Sequence, residues 1–217
     1  MDGNQRWSKK NNISIDDGYY KGFFKLKEIV KYCIDEKIKH LTVYALSTEN
    51  LKRDSVKNIF KIITSNYKEF LKEIIFVNNV KIKIIGENYN LSNRLNTIFN
   101  KIENFTVNNK ELNLNIAFNY GSDQELISII NEYKNVDNNI IPNDKMKLIK
   151  SLMYLKETPE PDLLIRTGGY QRLSNFLLLY LGYTELFFTK TLWPNFTIAE
   201  LKRIIKTFKK IKRKYGL

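Results

Sequence analysis

Three short stretches of the chain hold the side chains that phosphate and metal chemistry needs. Asp2-Gly3-Asn4-Gln5-Arg6 gathers a carboxylate, an amide, a flexible glycine and an arginine, with Trp7 next to them. Arg166-Thr167-Gly168-Gly169 runs on to Arg172-Leu173-Ser174, so two arginines flank a glycine turn and a hydroxyl follows the second. The third stretch is Ser47-Thr48-Glu49-Asn50, with Leu51 and Arg53 close behind. An Asp binds Mg²⁺ through a diphosphate, a Gly lets backbone approach phosphate oxygens, and an Arg grips such oxygens bidentately, which Lys does less well. Two basic clamps suggest two phosphorylated substrates. Each stretch alone has a plainer reading: Asp-Gly-Asn as a turn, Arg-x-Gly-Gly as a loop ending a strand, Ser-x-Glu-Asn as a helix cap. Their joint appearance at one rim of the fold carries the inference.

The elements that must position these residues alternate in type. Short runs rich in β-branched and aromatic residues at 41–46, 80–85, 112–118, 163–165 and 186–188 read as strands. Between them, 22–36, 56–76, 91–105, 124–133 and 145–155 carry apolar residues at three- and four-residue spacing, and 198–215 closes the chain as a basic amphipathic helix. Residues 134–144, rich in Asn and Asp, read as a surface loop. Strands separated by whole helices are most economically parallel, which predicts an α/β fold with a mainly parallel central sheet flanked by helices, one domain over 1–217. Ligands in such sheets bind beyond the carboxyl ends of the strands. Ser47, Gly86, Asn119 and Arg166 follow four of those ends.

Composition narrows the field. Apolar residues make up 43% and charged ones 27%, so a core can form. No apolar run approaches the roughly 18 residues that could span a bilayer, and no charged-then-apolar leader precedes Met1, so the expected location is cytoplasmic. The lone Cys33 and lone His40 exclude an internal disulfide and a zinc site built on Cys and His. Thirty-six basic residues against 23 acidic ones give +13, which favours phosphate-bearing partners. Only seven of the cations are arginines, in a chain so rich in Lys, Asn and Ile that coding bias alone would supply lysine. Arginine is therefore the more informative cation here.

The chain also resembles a known family. Met1-Asp-Gly-Asn-Gln-Arg-Trp7, Tyr44-Ala-Leu-Ser-Thr-Glu-Asn50 with Arg53, and Ile116-Ala-Phe-Asn-Tyr-Gly121 are similar to ordered signatures of the cis-prenyltransferases. So are Asp162-Leu-Leu-Ile-Arg-Thr-Gly-Gly169, Arg172-Leu-Ser-Asn-Phe-Leu-Leu178, and Tyr183-Thr-Glu-Leu-Phe-Phe-Thr189 with Leu192-Trp-Pro-Asn-Phe196. The resemblance, undecaprenyl diphosphate synthase-like, runs from residue 1 to about residue 210 with order and spacing kept.

It implies Mg²⁺-dependent condensation of isopentenyl diphosphate onto an allylic diphosphate, usually farnesyl diphosphate, with cis geometry. By motif, Asp2 resembles the Mg²⁺-associated catalytic carboxylate. Gly3, Asn4, Gln5, Arg6 and Trp7 resemble the allylic diphosphate loop, and Arg166, Arg172, Leu173 and Ser174 the isopentenyl diphosphate site. Glu185 resembles a second metal-associated carboxylate. Ser47, Thr48, Glu49, Leu51 and Arg53 resemble the loop between the two sites, and Asn50 the position assigned to proton removal, where an amide serves as an orienting group. Ala45 and Leu112 would line a tunnel for the growing chain. A homodimer and peripheral membrane contact for product release are implied as well, with no nucleic-acid partner.

Some positions depart from the family pattern. Gln5 replaces a small residue, Gly18-Tyr19-Tyr20-Lys21-Gly22 carries Tyr19 in place of a histidine, Gly169-Tyr170-Gln171-Arg172 stands where Gly-Glu-x-Arg is common, and Leu51 replaces a tryptophan. Family members carry roughly two dozen residues ahead of the Asp2 motif, including a sheet strand. The expectation is that the start lies upstream, or that the sheet lacks the family's first strand and Asp2 hangs on a fraying terminus. The rivals are a short-chain or branched prenyl diphosphate synthase, a silent family-like subunit, and a nucleic-acid binder using the basic residues 203–214.

Overall fold

A computed structural model of the chain describes residues 1–52, 60, 79–89, 91–136 and 145–214. Helices α1 (Asn4–Lys10) and α2 (Ile15–Asp35) lead into β1 (His40–Ser47), which ends in a 3₁₀ turn at Glu49–Lys52. There follow β2 (Val80–Ile85), α3 (Asn93–Thr106), β3 (Leu112–Tyr120), α4 (Ser122–Lys134), α5 (Lys145–Leu152), β4 (Leu163–Arg166), β5 (Glu185–Phe188), a 3₁₀ turn at Trp193–Asn195 and α6 (Ile198–Phe208). All five predicted strands are present, and every pairing among the described residues is parallel. β3 lies between β1 and β2, and β4 pairs with β5. A cavity separates β1 from β4, so the two groups face each other across the space that matters for function.

The central strand is the most deeply buried, with Leu112, Leu114, Ala117 and Tyr120 at 0% exposure. Its neighbours supply Val43, Val80 and Ile82, against which α2 sets Leu26, Ile29, Val30 and Cys33 at helical spacing. Burial pushes the Cys33 thiol up to about 12, which keeps it an inert core residue. Ser14, Ser92 and Thr197 cap α2, α3 and α6 by accepting from the third backbone N–H beyond each. The Ser14 cap starts α2 well before the expected residue 22, because Gly18 and Gly22 are where α1 crosses it. A Cβ on Gly18 would stand 1.9 Å from Ser8 Oγ, and one on Gly22 would stand 2.2 Å from Asn4 Oδ1.

Two helices end earlier than their apolar patterns predict. The α5 pattern runs to 155, yet the helix stops at Leu152 because the Tyr154 N–H donates to Glu125 at 2.9 Å and the Leu155 N–H to the Tyr180 hydroxyl at 3.1 Å. The α6 pattern runs to 215, yet the helix stops at Phe208, and Arg213 is drawn instead to Asp162 and to the Tyr183 carbonyl. The expected helix over 56–76 falls almost wholly outside the described residues, as do 137–144 of the expected loop and residue 215.

Four tyrosines, Tyr44, Tyr120, Tyr154 and Tyr180, have their hydroxyl pKa raised by burial, reinforced by Glu49, Glu125, Glu87 and Glu125 respectively. A raised folded pKa gives stability that is complete below the unfolded value of about 10 and is lost as pH climbs above it, since the unfolded chain then releases these protons first. In an alkaline titration the last part of the tyrosinate absorbance should therefore rise together with loss of the helical circular dichroism. Complete ionisation with the helical signal intact would contradict this account.

Candidate active site

The amino-terminal motif sits at the carboxyl end of β4, where the topology places ligands. Asp2 is fixed through its backbone: its N–H donates to Thr167 Oγ1 at 3.1 Å, and its carbonyl accepts from that hydroxyl at 3.2 Å and from the Trp193 N–H at 3.0 Å. These bonds hold Asp2 in place, against the alternative in which it hangs on a fraying terminus. Its carboxylate then faces two guanidinium groups, Arg6 at 3.2 Å through Oδ1 and Arg166 at 3.2 Å through Oδ2. Arg6 is further held by the Gly168 carbonyl at 2.7 Å, and Arg166 by Ser174 Oγ at 2.8 Å and by the Arg172 carbonyl.

Local backbone shape makes this convergence possible. Gly168 has φ +93°, and a Cβ there would lie 2.6 Å from the Arg6 guanidinium and 3.1 Å from Asp2. Gly168→Ala should accordingly lower kcat/KM about tenfold, because the added carbon both strains the backbone and displaces Arg6. Steady-state kinetics on the folded variant checks it, and unchanged kinetics would show that the turn has slack. Ser174 and Asn175 also take left-handed φ, of 50° and 61°, which turns the Ser174 hydroxyl toward Arg166.

Across the cavity, the last residues of β1 carry register irregularities between Tyr44 and Ser47. The Asn50 N–H donates to Ser47 Oγ at 3.3 Å, and Glu49 accepts from Asn175 Nδ2 at 3.2 Å, while Asn175 also reaches Asp123 at 2.6 Å. That tie joins the β1 rim to the Arg166–Ser174 side. The cavity between β1 and β4 is about 1230 Å³. Its mouth holds Asp2, Gly3, Asn4, Gln5, Arg6 and Tyr19 on one side, Ser47, Glu49 and Asn50 on another, and Arg166, Arg172, Leu173 and Ser174 on a third. Apolar residues, Ile29, Val43, Ile165, Phe196 and Ile205 among them, line much of the rest, with Lys39, Glu160, Asp162 and Lys209 also on its walls. Gln5 and Tyr19, the two departures nearest the amino-terminal motif, meet each other: the Gln5 amide donates to the Tyr19 hydroxyl at 3.0 Å.

Other expected site residues are not brought to the cavity. Trp7 points away and donates to Asn195 at 2.8 Å. Thr48 uses its backbone N–H to bind the Tyr120 carbonyl at 3.1 Å, and the 3₁₀ turn rotates Leu51 into a core with Leu46, Leu95 and Phe118. Leu112 is core at the far end of β3, whereas Ala45 does line the cavity. Glu185 opens β5 opposite Leu163, while Arg166 faces Phe188. Three strand residues, roughly 10 Å, thus separate Glu185 from the rim, and the chain does not bring it to Asp2. Arg53 lies outside the described residues. Thr167, Gly168, Tyr170 and Asn175 also belong to the site, although the sequence assigns none of them a role of its own.

Among the described residues no three His, Cys, Asp or Glu side chains gather in a way that could hold a metal ion. Asp2, one carboxylate amid arginines, fits a Mg²⁺ that takes one protein oxygen and completes its shell with substrate phosphate and water, which is how Mg²⁺ is usually bound. It does not fit an all-protein cage.

The same chain matches the family model described as putative undecaprenyl diphosphate synthase over residues 1–216. It is 36% identical to an isoprenyl transferase of Aquifex aeolicus, covering 100% of this chain and 93% of that one. It is 38% identical to a tritrans,polycis-undecaprenyl-diphosphate synthase (geranylgeranyl-diphosphate specific) of Sulfurisphaera tokodaii, covering 99% and 85%. Among solved structures, lavandulyl diphosphate synthase from Lavandula x intermedia, in complex with dimethylallyl diphosphate, superposes with a TM-score of 0.93 at 26% identity over 100% and 95% of the two chains. A probable undecaprenyl diphosphate synthase from Campylobacter jejuni gives 0.79 at 31% identity over 91% and 93%. With end-to-end likeness in sequence joined to an arginine cluster at the mouth of a large cavity, the chain belongs to the undecaprenyl diphosphate synthase family and is a cis-prenyltransferase.

Proposed function

We propose that the chain condenses isopentenyl diphosphate with an allylic prenyl diphosphate, farnesyl diphosphate in the first instance, to give a cis-polyprenyl diphosphate in a Mg²⁺-dependent reaction. The observation that carries this reading is the convergence of Arg6 and Arg166 on Asp2, with Ser174 and Arg172 beside them, above an apolar cavity. Its volume, about 1230 Å³, exceeds the roughly 300–1,000 Å³ of ordinary small-molecule pockets. A hydrocarbon tail fits such walls and a diphosphate fits such a rim.

Arg6, with the backbone of Gly3 and Asn4, holds the allylic diphosphate. Arg166, Arg172 and Ser174 hold the isopentenyl diphosphate. As the allylic carbon–oxygen bond breaks, negative charge grows on the departing diphosphate, and the fixed guanidinium groups stabilise it most at that moment. Asp2 would hold a Mg²⁺, which would add positive charge beside the departing diphosphate. The new carbon–carbon bond forms to the double bond of the second substrate, inorganic diphosphate leaves, and one proton departs. The Asn50 amide orients diphosphate or water to accept that proton. The apolar walls keep other water from the electron-deficient carbon.

The protein is proposed to act as a homodimer, for which the exposed Leu126, Ile127 and Ile130 of α4 offer an apolar face. A cytoplasmic site with peripheral membrane contact is proposed from the exposed cations Lys202, Arg203, Lys206, Lys209 and Lys210 on and just after α6, which suit an anionic surface that accepts a long product. No helix among the described residues is long and apolar enough to cross a membrane. The structural likeness to lavandulyl diphosphate synthase favours a second reading, a short or branched product. Incubation of the purified protein with Mg²⁺, farnesyl diphosphate and labelled isopentenyl diphosphate, followed by sizing of the products, tests both. A ladder of long products supports the first reading, one short product the second, and no Mg²⁺-dependent product from folded protein refutes the enzyme reading.

A further inference from the structure

Tyr170 lies at the centre of the arginine cluster. The guanidinium carbons of Arg172, Arg6 and Arg166 stand 4.4, 4.8 and 5.7 Å from the centroid of its ring, within cation–π range. Arg6 and Arg166 are also held by hydrogen bonds to Asp2, Gly168 and Ser174. The Arg172 guanidinium makes no hydrogen bond among the described residues, and the ring is what holds it. The Tyr170 hydroxyl likewise makes none, which leaves the ring face as the working part. An acidic side chain would organise three arginines equally well, but only by cancelling charge that a phosphate would otherwise meet. An aromatic face holds the cations together and leaves their charge for the ligand.

We propose that Tyr170 is a positioning residue that preorganises Arg172, and secondarily Arg6, for the diphosphate of isopentenyl diphosphate. This rests on the proposed function. Ordering Arg172 before the substrate arrives removes that cost from binding, so the ring acts on affinity more than on the chemical step. It explains why an arginine with no hydrogen-bonded support still points at the rim.

The test uses the full chain and four variants, Tyr170→Leu, Tyr170→Phe, Arg172→Gln and the Tyr170→Leu/Arg172→Gln pair. The readouts are kcat, KM for isopentenyl diphosphate, and the calorimetric Kd for inorganic diphosphate. Tyr170→Leu should raise that KM and that Kd about fivefold with kcat changed less than about twofold, whereas Tyr170→Phe stays within about twofold of wild type. In the Arg172→Gln background, Tyr170→Leu should add less than about twofold, because the ring then has little left to position. Unchanged KM and Kd in Tyr170→Leu, equal losses in Tyr170→Phe and Tyr170→Leu, or fully additive losses in the pair would each overturn the inference. A wild-type chain that neither binds inorganic diphosphate nor forms product overturns the proposed function as well. A wild type that does both, beside an unaffected Tyr170→Leu, overturns this inference alone.

Discussion

Asp2→Ala should lower turnover by about three orders of magnitude while the fold and the binding of inorganic diphosphate survive. The contrast follows from how Asp2 is held. Its place in the fold depends on its backbone, bonded to Thr167 and Trp193, which alanine retains. Its carboxylate occupies Arg6 and Arg166, so truncation frees both guanidinium groups and diphosphate affinity measured without metal should hold or tighten. What disappears is the carboxylate that stands between the two arginines, where a divalent cation would meet the diphosphate. Asp2→Asn separates the two roles that the carboxylate could play. If Asp2 merely aligned the arginines, the amide oxygen would restore much of the rate. If it anchors Mg²⁺, Asn should stay within about tenfold of Ala. Turnover in Asp2→Ala equal to wild type would remove Asp2 from the mechanism.

Local signals reported the five strands, each a short run of apolar and aromatic residues, and three helices open on a capping Ser or Thr, whereas α1, which opens on Gly3 with no side-chain cap, had no such sign. What they missed were element ends fixed by distant partners. No periodicity within 145–155 shows that Tyr154 and Leu155 leave the helix to meet Glu125 and Tyr180, or that Arg213 leaves the axis of α6 to meet Asp162. The early start of α2 had a local sign in Ser14 and Asp17. Gly18 and Gly22 belong inside that helix because the close crossing of α1 leaves no room for a Cβ at either.

The site was legible where a residue's chemistry pointed one way and the chain had little choice of direction. Asp2 and Arg6 lie just before and within the first turn of α1, Arg166 ends β4 and Ser174 sits in the turn beyond it, and all four line the cavity. The motif around Trp7, Leu51 and Glu185 was equally visible, but sequence order does not say which side of a short helix or which end of a strand faces the ligand. Glu185 is the clearest case: the parallel pairing of β4 with β5 sets it beside Leu163 rather than Arg166. Tyr170 failed for another reason. Its side chain is neither a cation for phosphate nor a carboxylate for metal, and only the fold brings three guanidinium groups around its ring.

Glu125→Ala should cost about 4 kcal/mol of folding stability, a large share of the roughly 5–15 kcal/mol that holds a domain. Glu125 is wholly buried and gathers donors from three places in the chain. The Tyr120 hydroxyl donates to it at 2.6 Å, the Tyr154 N–H at 2.9 Å, and the Tyr180 hydroxyl closes the set. The carboxyl thus ties α4 to the end of β3, to the segment after α5 and to the stretch that carries the Ser174 turn. Alanine would leave those donors buried without an acceptor and open a cavity besides. Glu125→Gln keeps one acceptor oxygen, and its amide can donate to a tyrosine hydroxyl only where that hydroxyl gives up its own donation, so it should lose about half as much. Chemical denaturation with an unchanged m-value checks both. A loss under about 1 kcal/mol for alanine would mean that water or rearranged tyrosines can replace the carboxyl. Because Ser122 also accepts from the Leu178 N–H at 2.9 Å, loosening this end of α4 should reach the 173–178 turn. The glutamine variant, still folded, should therefore raise KM for isopentenyl diphosphate more than for the allylic substrate, a selectivity that uniform destabilisation would not produce.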